Sequence, residues 1–351
     1  MHGGNIYRAA EFLRWPERKI IDFSASINPL GVSKKVKAEL RKYLKYLHNY
    51  PDPECKRFLR HLSKSLQLPE DALIAGNGST EFIYLIPMAL KPEKVLLPAP
   101  TFSEYERALI LRGSPVVEHV LLKKENFFRI VVEEFIEKLN HRDIVYICNP
   151  NNPTAQYLKR EQILQLAEAC KATKTFLVVD EAFIDFIPEH TLIDAVLDNT
   201  YLLVLRSLTK FYALTGLRIG YLAAHPDIIK KFKEHKEPWT VNTLAQRAAV
   251  VAIKDKNYKK ETFRVLGQEK TYLERELQKL GITFYPSEIN FYLIEHPHSV
   301  NIVEKMKKKG ILIRHCGNFR GLNDEFFRIA VKSHRENALL IKNLKNILCE
   351  L

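Results

Sequence analysis

Cysteine is scarce in this 351-residue sequence. The five present, Cys55, Cys148, Cys170, Cys316 and Cys349, are odd in number and form no CxxC pair. That argues against a disulfide framework and against a zinc or other metal centre, and it points to a reducing cytoplasm. No apolar run approaches the roughly 18 residues of a membrane-spanning helix. The N-terminus opens on His2-Gly3-Gly4-Asn5 without a cationic and apolar leader, so a soluble, intracellular protein with no membrane partner is expected. Internal repeats and low-complexity linkers are also missing. So are a basic arm and a basic run interleaved with aromatics, the usual signs of nucleic-acid binding.

What remains is an ordinary globular composition. Hydrophobic residues make up 46% of the chain, enough for a large core, and the length suits two closely packed domains. Lys and Arg number 54 against 41 Asp and Glu, a formal charge of +13. The excess is spread along helix-like stretches such as Glu304-Lys305-Met306-Lys307-Lys308-Lys309. It reads as a solvated surface, with steering of a phosphorylated small molecule as the functional option.

Periodicity predicts a short strand at Ile20–Ser24 and helices at Ser33–Leu47 and Cys55–Leu66. Strands then follow at 72–74, 95–97, 116–122, 144–148, 176–179, 201–205 and 219–223. Helices at 81–90, 103–111 and 160–173 separate several of them. Short apolar strands alternating with helices indicate an α/β architecture with a mostly parallel sheet covered on both faces. After Pro226 the pattern becomes α+β: one long, broken helical region over 243–280, strands at 283–285, 291–294, 311–313 and 326–330, and a last helix over 335–348. The expected division is an N-terminal arm with part of a small domain (1–45), a large domain (46–240) and a C-terminal small domain (241–351).

Open parallel sheets bind ligands where strands end, and four strand ends here carry polar chemistry. Ser207-Leu208-Thr209-Lys210, with Arg218 in Gly216-Leu217-Arg218-Ile219-Gly220, combines hydroxyls, two cations and glycines; such a set can hold a phosphate and one reactive amine. Val179-Asp180-Glu181-Ala182-Phe183 places an acid after an apolar strand, either as a helix cap or as a carboxylate against a pyridinium nitrogen. In Gly76-Asn77-Gly78-Ser79-Thr80, glycines precede a helix start whose amides suit a phosphate. In Asn149-Pro150-Asn151-Asn152-Pro153, Asn152 can present its amide to a ring or a carboxylate.

The order of these four ends resembles the large domain of the fold-type I aminotransferase superfamily, and the resemblance covers essentially the whole chain. It implies pyridoxal 5'-phosphate held as a Schiff base on Lys210, with Asp180 at the pyridine nitrogen. Asn152 is implied at the ring oxygen, and Phe183 stands where many relatives have Tyr. Gly78, Ser79, Thr80, Ser207, Thr209 and Arg218 are implied as the phosphate cup. Phe102, in Pro100-Thr101-Phe102-Ser103-Glu104-Tyr105, resembles the residue stacked on the ring. Tyr50, in Tyr50-Pro51-Asp52, resembles the residue that reaches the neighbouring subunit's phosphate, which implies a homodimer with shared sites.

Two further arginines sharpen the substrate. Arg328 lies inside the apolar run Phe326–Val331 and needs a partner or an anion. Arg314 ends the run Ile311–Ile313. The resemblance implies that Arg328 clamps an amino-acid carboxylate and Arg314 a substrate phosphate. Within the superfamily the chain is similar to the threonine-phosphate decarboxylases of cobalamin biosynthesis. The residues that carry this are His2–Tyr7, Asp22–Gly31, Asp180–Phe186, Leu205–Tyr212 and Pro238–Asn242. The implied reaction is decarboxylation of L-threonine O-3-phosphate to (R)-1-aminopropan-2-yl phosphate, with His2, Gly3, Ser26 and Asn152 also touching substrate. Histidinol-phosphate amino transfer and a preference for phosphoserine stay open as alternatives. Ser26 replaces the family's usual Asn, and Ala155 its usual Gly after Asn-Pro-Thr, where only the turn is expected to matter. A DNA-binding regulator on this fold would carry a fused helix-turn-helix domain, for which the chain has no room.

Overall fold

A computed structural model describes residues 3–113 and 116–351. Its strands in chain order are β1 (Ile21–Asp22), β2 (Leu73–Gly76), β3 (Lys94–Ala99), β4 (Val116–Leu121), β5 (Ile144–Cys148), β6 (Phe176–Asp180), β7 (Leu202–Ser207), β8 (Gly220–Ala224), β9 (Thr283–Phe284), β10 (Phe291–Glu295), β11 (Ile311–Leu312), β12 (Arg314–His315) and β13 (Phe326–Ala330). Seven of them form one sheet in the order β2-β8-β7-β6-β5-β3-β4. Only β8 runs against the rest, pairing antiparallel with both β7 and β2.

The central strands of the sheet are buried on both faces because they are apolar at nearly every position before their polar ends. In β5, Val145 and Ile147 pack into one core, while Ile144, Tyr146 and Cys148 pack into the other. Strands β6 and β7 divide their side chains the same way. Continuous rather than alternating hydrophobicity is what a helix-covered parallel sheet demands.

The α+β part builds a four-stranded antiparallel sheet, β12-β13-β10-β9. β1 pairs in parallel with β11, so the N-terminal segment is tied to the C-terminal part of the chain. The long helical region is two helices, Thr243–Lys254 and Lys256–Lys279. Asp255 breaks it; its carboxylate caps the second helix at the Tyr258 amide, 3.4 Å away, and faces Lys35 Nζ at 3.1 Å.

Three helices of the structure lack a counterpart in the sequence reading: Ile6–Leu13, Val132–Ile136 and Pro226–His235; a fourth, Ser299–Lys308, takes in most of the helix-like stretch Glu304–Lys309. Two carry start signals. Asn5 Oδ1 accepts the Arg8 amide at 3.0 Å, and Pro226 occupies the first helical position. A second difference concerns Arg314. The apolar run before it does not form one strand that Arg314 ends. It splits, with Ile311–Leu312 pairing with β1 while Arg314–His315 turns to pair with β13. Among the described residues no helix is long and apolar enough to cross a membrane.

Candidate active site

The polar strand ends converge because strand direction forces them to. β2, β3, β5, β6 and β7 run parallel, so the segments after them emerge at one sheet edge. β8 runs the other way, and its start brings Arg218 and Gly220 to that same edge, opposite Ser207 and Gly76. A cleft of about 200 Å³ opens there. Its walls include Ser79, Thr80, Phe102, Asn152, Asp180, Phe183, Ser207, Thr209, Lys210 and Arg218, and on the opposite side Gly3, Ser26, Arg314 and Arg328. Of the residues expected at the site, Tyr50 and Gly78 do not line it, and His2 lies outside the described residues.

At the floor, Ser79 and Thr80 open the helix Ser79–Leu90. The first amides of a helix have no carbonyl behind them and favour an anion. The Ser207 and Thr209 hydroxyls lie 2.7 Å apart beside them. Arg218, held by the Thr215 carbonyl at 3.3 Å, completes the cup. Gly78 serves it by size and shape. Its φ is +80°, and a Cβ there would come 2.6 Å from Arg218 Nη2. Gly220, which the sequence reading did not single out, does the same for the backbone, since a Cβ on it would lie 2.5 Å from the Ser79 nitrogen and 2.6 Å from the Arg206 oxygen. Only the folded register, Gly220 beside both Gly76 and Ser207, exposes that requirement.

Asp180 ends β6, buried at the back of the cleft. Its Oδ2 accepts from the Tyr105 hydroxyl at 2.8 Å and its Oδ1 from the Ala182 amide at 3.0 Å. Burial raises its affinity for a proton, and Tyr105, Ala182 and Lys210 oppose that rise. Lys210 faces it from the β7 side, with Nζ 5.9 Å from the Phe183 ring centre. Burial pushes the Lys210 amine down to about 8, Arg328 and Arg218 push the same way, and Asp180 and Asp22 pull back. Phe183 packs edge-on against Phe291 at 5.1 Å.

The Asn-Pro loop after β5 is locked to the loop that carries Phe102. Asn151 donates to the Pro100 carbonyl at 2.9 Å and accepts from the Thr101 hydroxyl at 2.8 Å. Ala155, in the usual place of Gly, holds φ +61° and returns its amide to Asn151 at 2.8 Å, so the turn survives the substitution.

The opposite wall is strongly cationic. Arg328 on β13 and Arg314 on β12 are direct cross-strand partners. Like charges in that position repel, and among the described residues neither has a carboxylate partner. Arg328 is buried; it donates from Nη1 to Asn152 and from Nη2 to the Ser24 carbonyl at 2.9 Å, and its Nε has no partner among the described residues. Burial lowers its pKa to about 10. Arg314 donates to the His315 carbonyl and, at 2.8 Å, to Asn318 Oδ1. Ser26 lines the same cleft, buried, and its hydroxyl has no hydrogen-bond partner among the described residues. Tyr50 sits apart, 84% exposed, its ring 5.3 Å from that of Trp239.

A half-buried amine, a buried carboxylate opposite it and a cup of helix amides, hydroxyls and Arg218 fit a phosphorylated pyridine aldehyde. On this fold they define a fold-type I enzyme dependent on pyridoxal 5'-phosphate. The family model for aminotransferase class I and II matches residues 18–344, and the chain belongs to that family. It is 36% identical to the threonine-phosphate decarboxylase of Salmonella typhimurium, over 99% of this chain and 96% of that protein. Among solved structures it is similar to the histidinol-phosphate aminotransferase of Clostridium acetobutylicum, with a TM-score of 0.88 and 31% identity over 95% of this chain and 100% of that one. It is also similar to the L-threonine-O-3-phosphate decarboxylase of Porphyromonas gingivalis, with a TM-score of 0.83 and 26% identity over 94% of this chain and 99% of that one.

Proposed function

We propose that the chain is an amino-acid decarboxylase that converts L-threonine O-3-phosphate and a proton to (R)-1-aminopropan-2-yl phosphate and CO2. The observation that carries this reading is the cross-strand pair of Arg314 and Arg328, in ion pair with none of the described carboxylates and lining the same cleft as Lys210. Two fixed guanidinium groups suit a substrate with two separate anionic ends, a carboxylate and a phosphate. The similarity to the Salmonella typhimurium decarboxylase over nearly the full length of both chains supports the same choice, and with it a place in cobalamin biosynthesis.

When bound, the cofactor supplies an electron sink that lets one bond at the substrate Cα break heterolytically. The chain's residues do the rest. Ser79, Thr80, Ser207, Thr209, Arg218 and the turn at Gly78 hold the cofactor phosphate. Asp180 would keep the ring nitrogen protonated, Phe102 would stack on the ring, Phe183 would stand at the ring-oxygen edge without a hydroxyl to offer, and Asn152 would serve the ring oxygen. Lys210 Nζ would hold the cofactor and, as a free amine, would return a proton to the substrate Cα. Which bond breaks depends on orientation. Arg328, Arg314 and the Ser26 hydroxyl fix the substrate's ends, and His2 and Gly3 contribute to substrate binding. The chain then divides into 1–45, 46–240 and 241–351, a division supported by the large sheet taking its strands from 73–224 and the four-stranded sheet from 283–330. It works as a cytoplasmic homodimer in which Tyr50, exposed here, reaches the neighbouring subunit's site.

Enzyme with cofactor and L-threonine O-3-phosphate, given no keto acid, releases CO2 stoichiometrically with aminopropanol phosphate. No CO2 release together with amino transfer from histidinol phosphate to 2-oxoglutarate would overturn the reading, and faster turnover of phosphoserine would reassign the substrate. Arg314→Gln is expected to raise KM for the phosphorylated substrate at least about tenfold, the loss of one charge-assisted contact, and to leave the cofactor's absorption unchanged. An unaltered KM would remove Arg314 from the phosphate subsite.

A further inference from the structure

Tyr105 is buried behind the cleft, on the helix Glu104–Ile110, and belongs to none of the groups assigned above. Its hydroxyl donates to Asp180 Oδ2 at 2.8 Å. Its ring stacks on Tyr146 at 5.2 Å and 23°, and meets Phe102 edge-on at 5.7 Å and 84°. A buried tyrosine needs one hydrogen-bond acceptor, which any backbone carbonyl could supply. Here the acceptor is Asp180, the sole carboxylate among the described residues that line the cleft.

A carboxylate buried in apolar surroundings tends to take up a proton. The groups facing Asp180 are Tyr105 from its helix, Cys148 from β5, Lys210 from beyond β7 and the Ala182 amide. Burial pushes the Cys148 thiol up to about 12, so it is neutral and supplies no charge. When Lys210 holds the cofactor, its nitrogen would no longer be a free ammonium beside Asp180. Tyr105 and Ala182 are then the donors that persist.

We propose that Tyr105 is a positioning residue of this enzyme: its hydroxyl keeps Asp180 an aimed anion, and its ring edge fixes Phe102, so one side chain sets two contacts around the cofactor ring. This rests on the assignment of Asp180 to the ring nitrogen. Tyr146 is a matched control, because it shares the stack and its buried hydroxyl has no partner among the described residues.

The test compares Tyr105→Phe, Tyr146→Phe and Asp180→Asn with the parent enzyme, with cofactor bound and after its removal. Infrared spectra of the cofactor-free proteins report the carbonyl stretch of a protonated carboxylic acid directly. In Tyr105→Phe that band is expected to appear at neutral pH and to vanish in the double variant with Asp180→Asn, while Tyr146→Phe shows none. Cofactor affinity in Tyr105→Phe is expected to fall about tenfold, the loss of one hydrogen bond to a charged acceptor. A Tyr105→Phe enzyme with no new band and parental affinity, while Asp180→Asn binds cofactor weakly, would overturn the role of Tyr105 and leave that of Asp180 standing. Parental affinity in Asp180→Asn would instead remove the assignment on which the proposal rests.

Discussion

Lys210→Ala is expected to fold, to lose the visible absorbance of covalently held cofactor, and to turn over at least about 10³-fold more slowly, within the range that a positioned acid-base group contributes. The site explains the size of the effect. Lys210 is the one amine that lines the cleft among the described residues, between Asp180 and the two arginines. Its environment also fixes a pH dependence. An amine must be neutral to attack the cofactor aldehyde, and burial together with Arg328 and Arg218 brings Lys210 down to about 8. The rate at which cofactor-free enzyme takes up the cofactor should therefore climb about tenfold per pH unit below that value and level off above it. Stopped-flow absorbance measures both limbs. A Lys210→Ala enzyme with an unchanged spectrum would remove Lys210 from the role.

Arg206→Ala should cost about 3–5 kcal/mol of stability at neutral pH, the range for breaking a buried ion pair from one side. Arg206 lies beneath the sheet, 3.2 Å from Glu181 and 2.6 Å from Asp185. Glu181 also accepts from the Thr191 hydroxyl at 2.6 Å and the Leu192 amide at 2.8 Å. Burial already raises the Glu181 proton affinity, and Arg206 is the charge that opposes it. Without Arg206 the carboxylate is stranded. Sign follows from proton linkage: the variant's folded state binds the extra proton, so its deficit is full above the carboxylate range and shrinks as the pH falls. Urea denaturation of parent and variant at neutral and mildly acidic pH measures it. A loss below about 1 kcal/mol, or one that grows in acid, would show that the network is not what holds this edge. Because Glu181 follows Asp180 and Arg206 precedes Ser207, the variant should also bind cofactor less tightly.

Much of the site was legible because its groups follow apolar strands in sequence. Asp180, Asn152, Ser79, Thr80, Ser207, Thr209 and Lys210 needed only the rule that parallel strands end at one edge. Arg328 was legible as a charge inside an apolar run. Its relation to Arg314 was not, because that depends on a split in the strand 311–313 and on antiparallel register. Gly78 reads as a cup residue in sequence, yet its part is to leave room for Arg218. Gly220 reads in sequence only as one glycine of the Arg218 motif, and Tyr105 shows no role of its own: one matters for the backbone it touches across the sheet, the other for a carboxylate 75 positions away.

Sequence alone determined the architecture, since continuous apolar strands alternating with helices can bury both faces only as a helix-covered, mostly parallel sheet. The order of polar residues at the strand ends also carries the family resemblance that implied the cofactor chemistry, and that order needs no tertiary distance to be read. Tertiary structure decided how the cleft is charged and aimed. Repulsion between Arg314 and Arg328, the two donors on Asp180 and the depressed pKa of Lys210 depend on distance and burial. Those quantities arise only when segments far apart in the chain share one low-dielectric cleft.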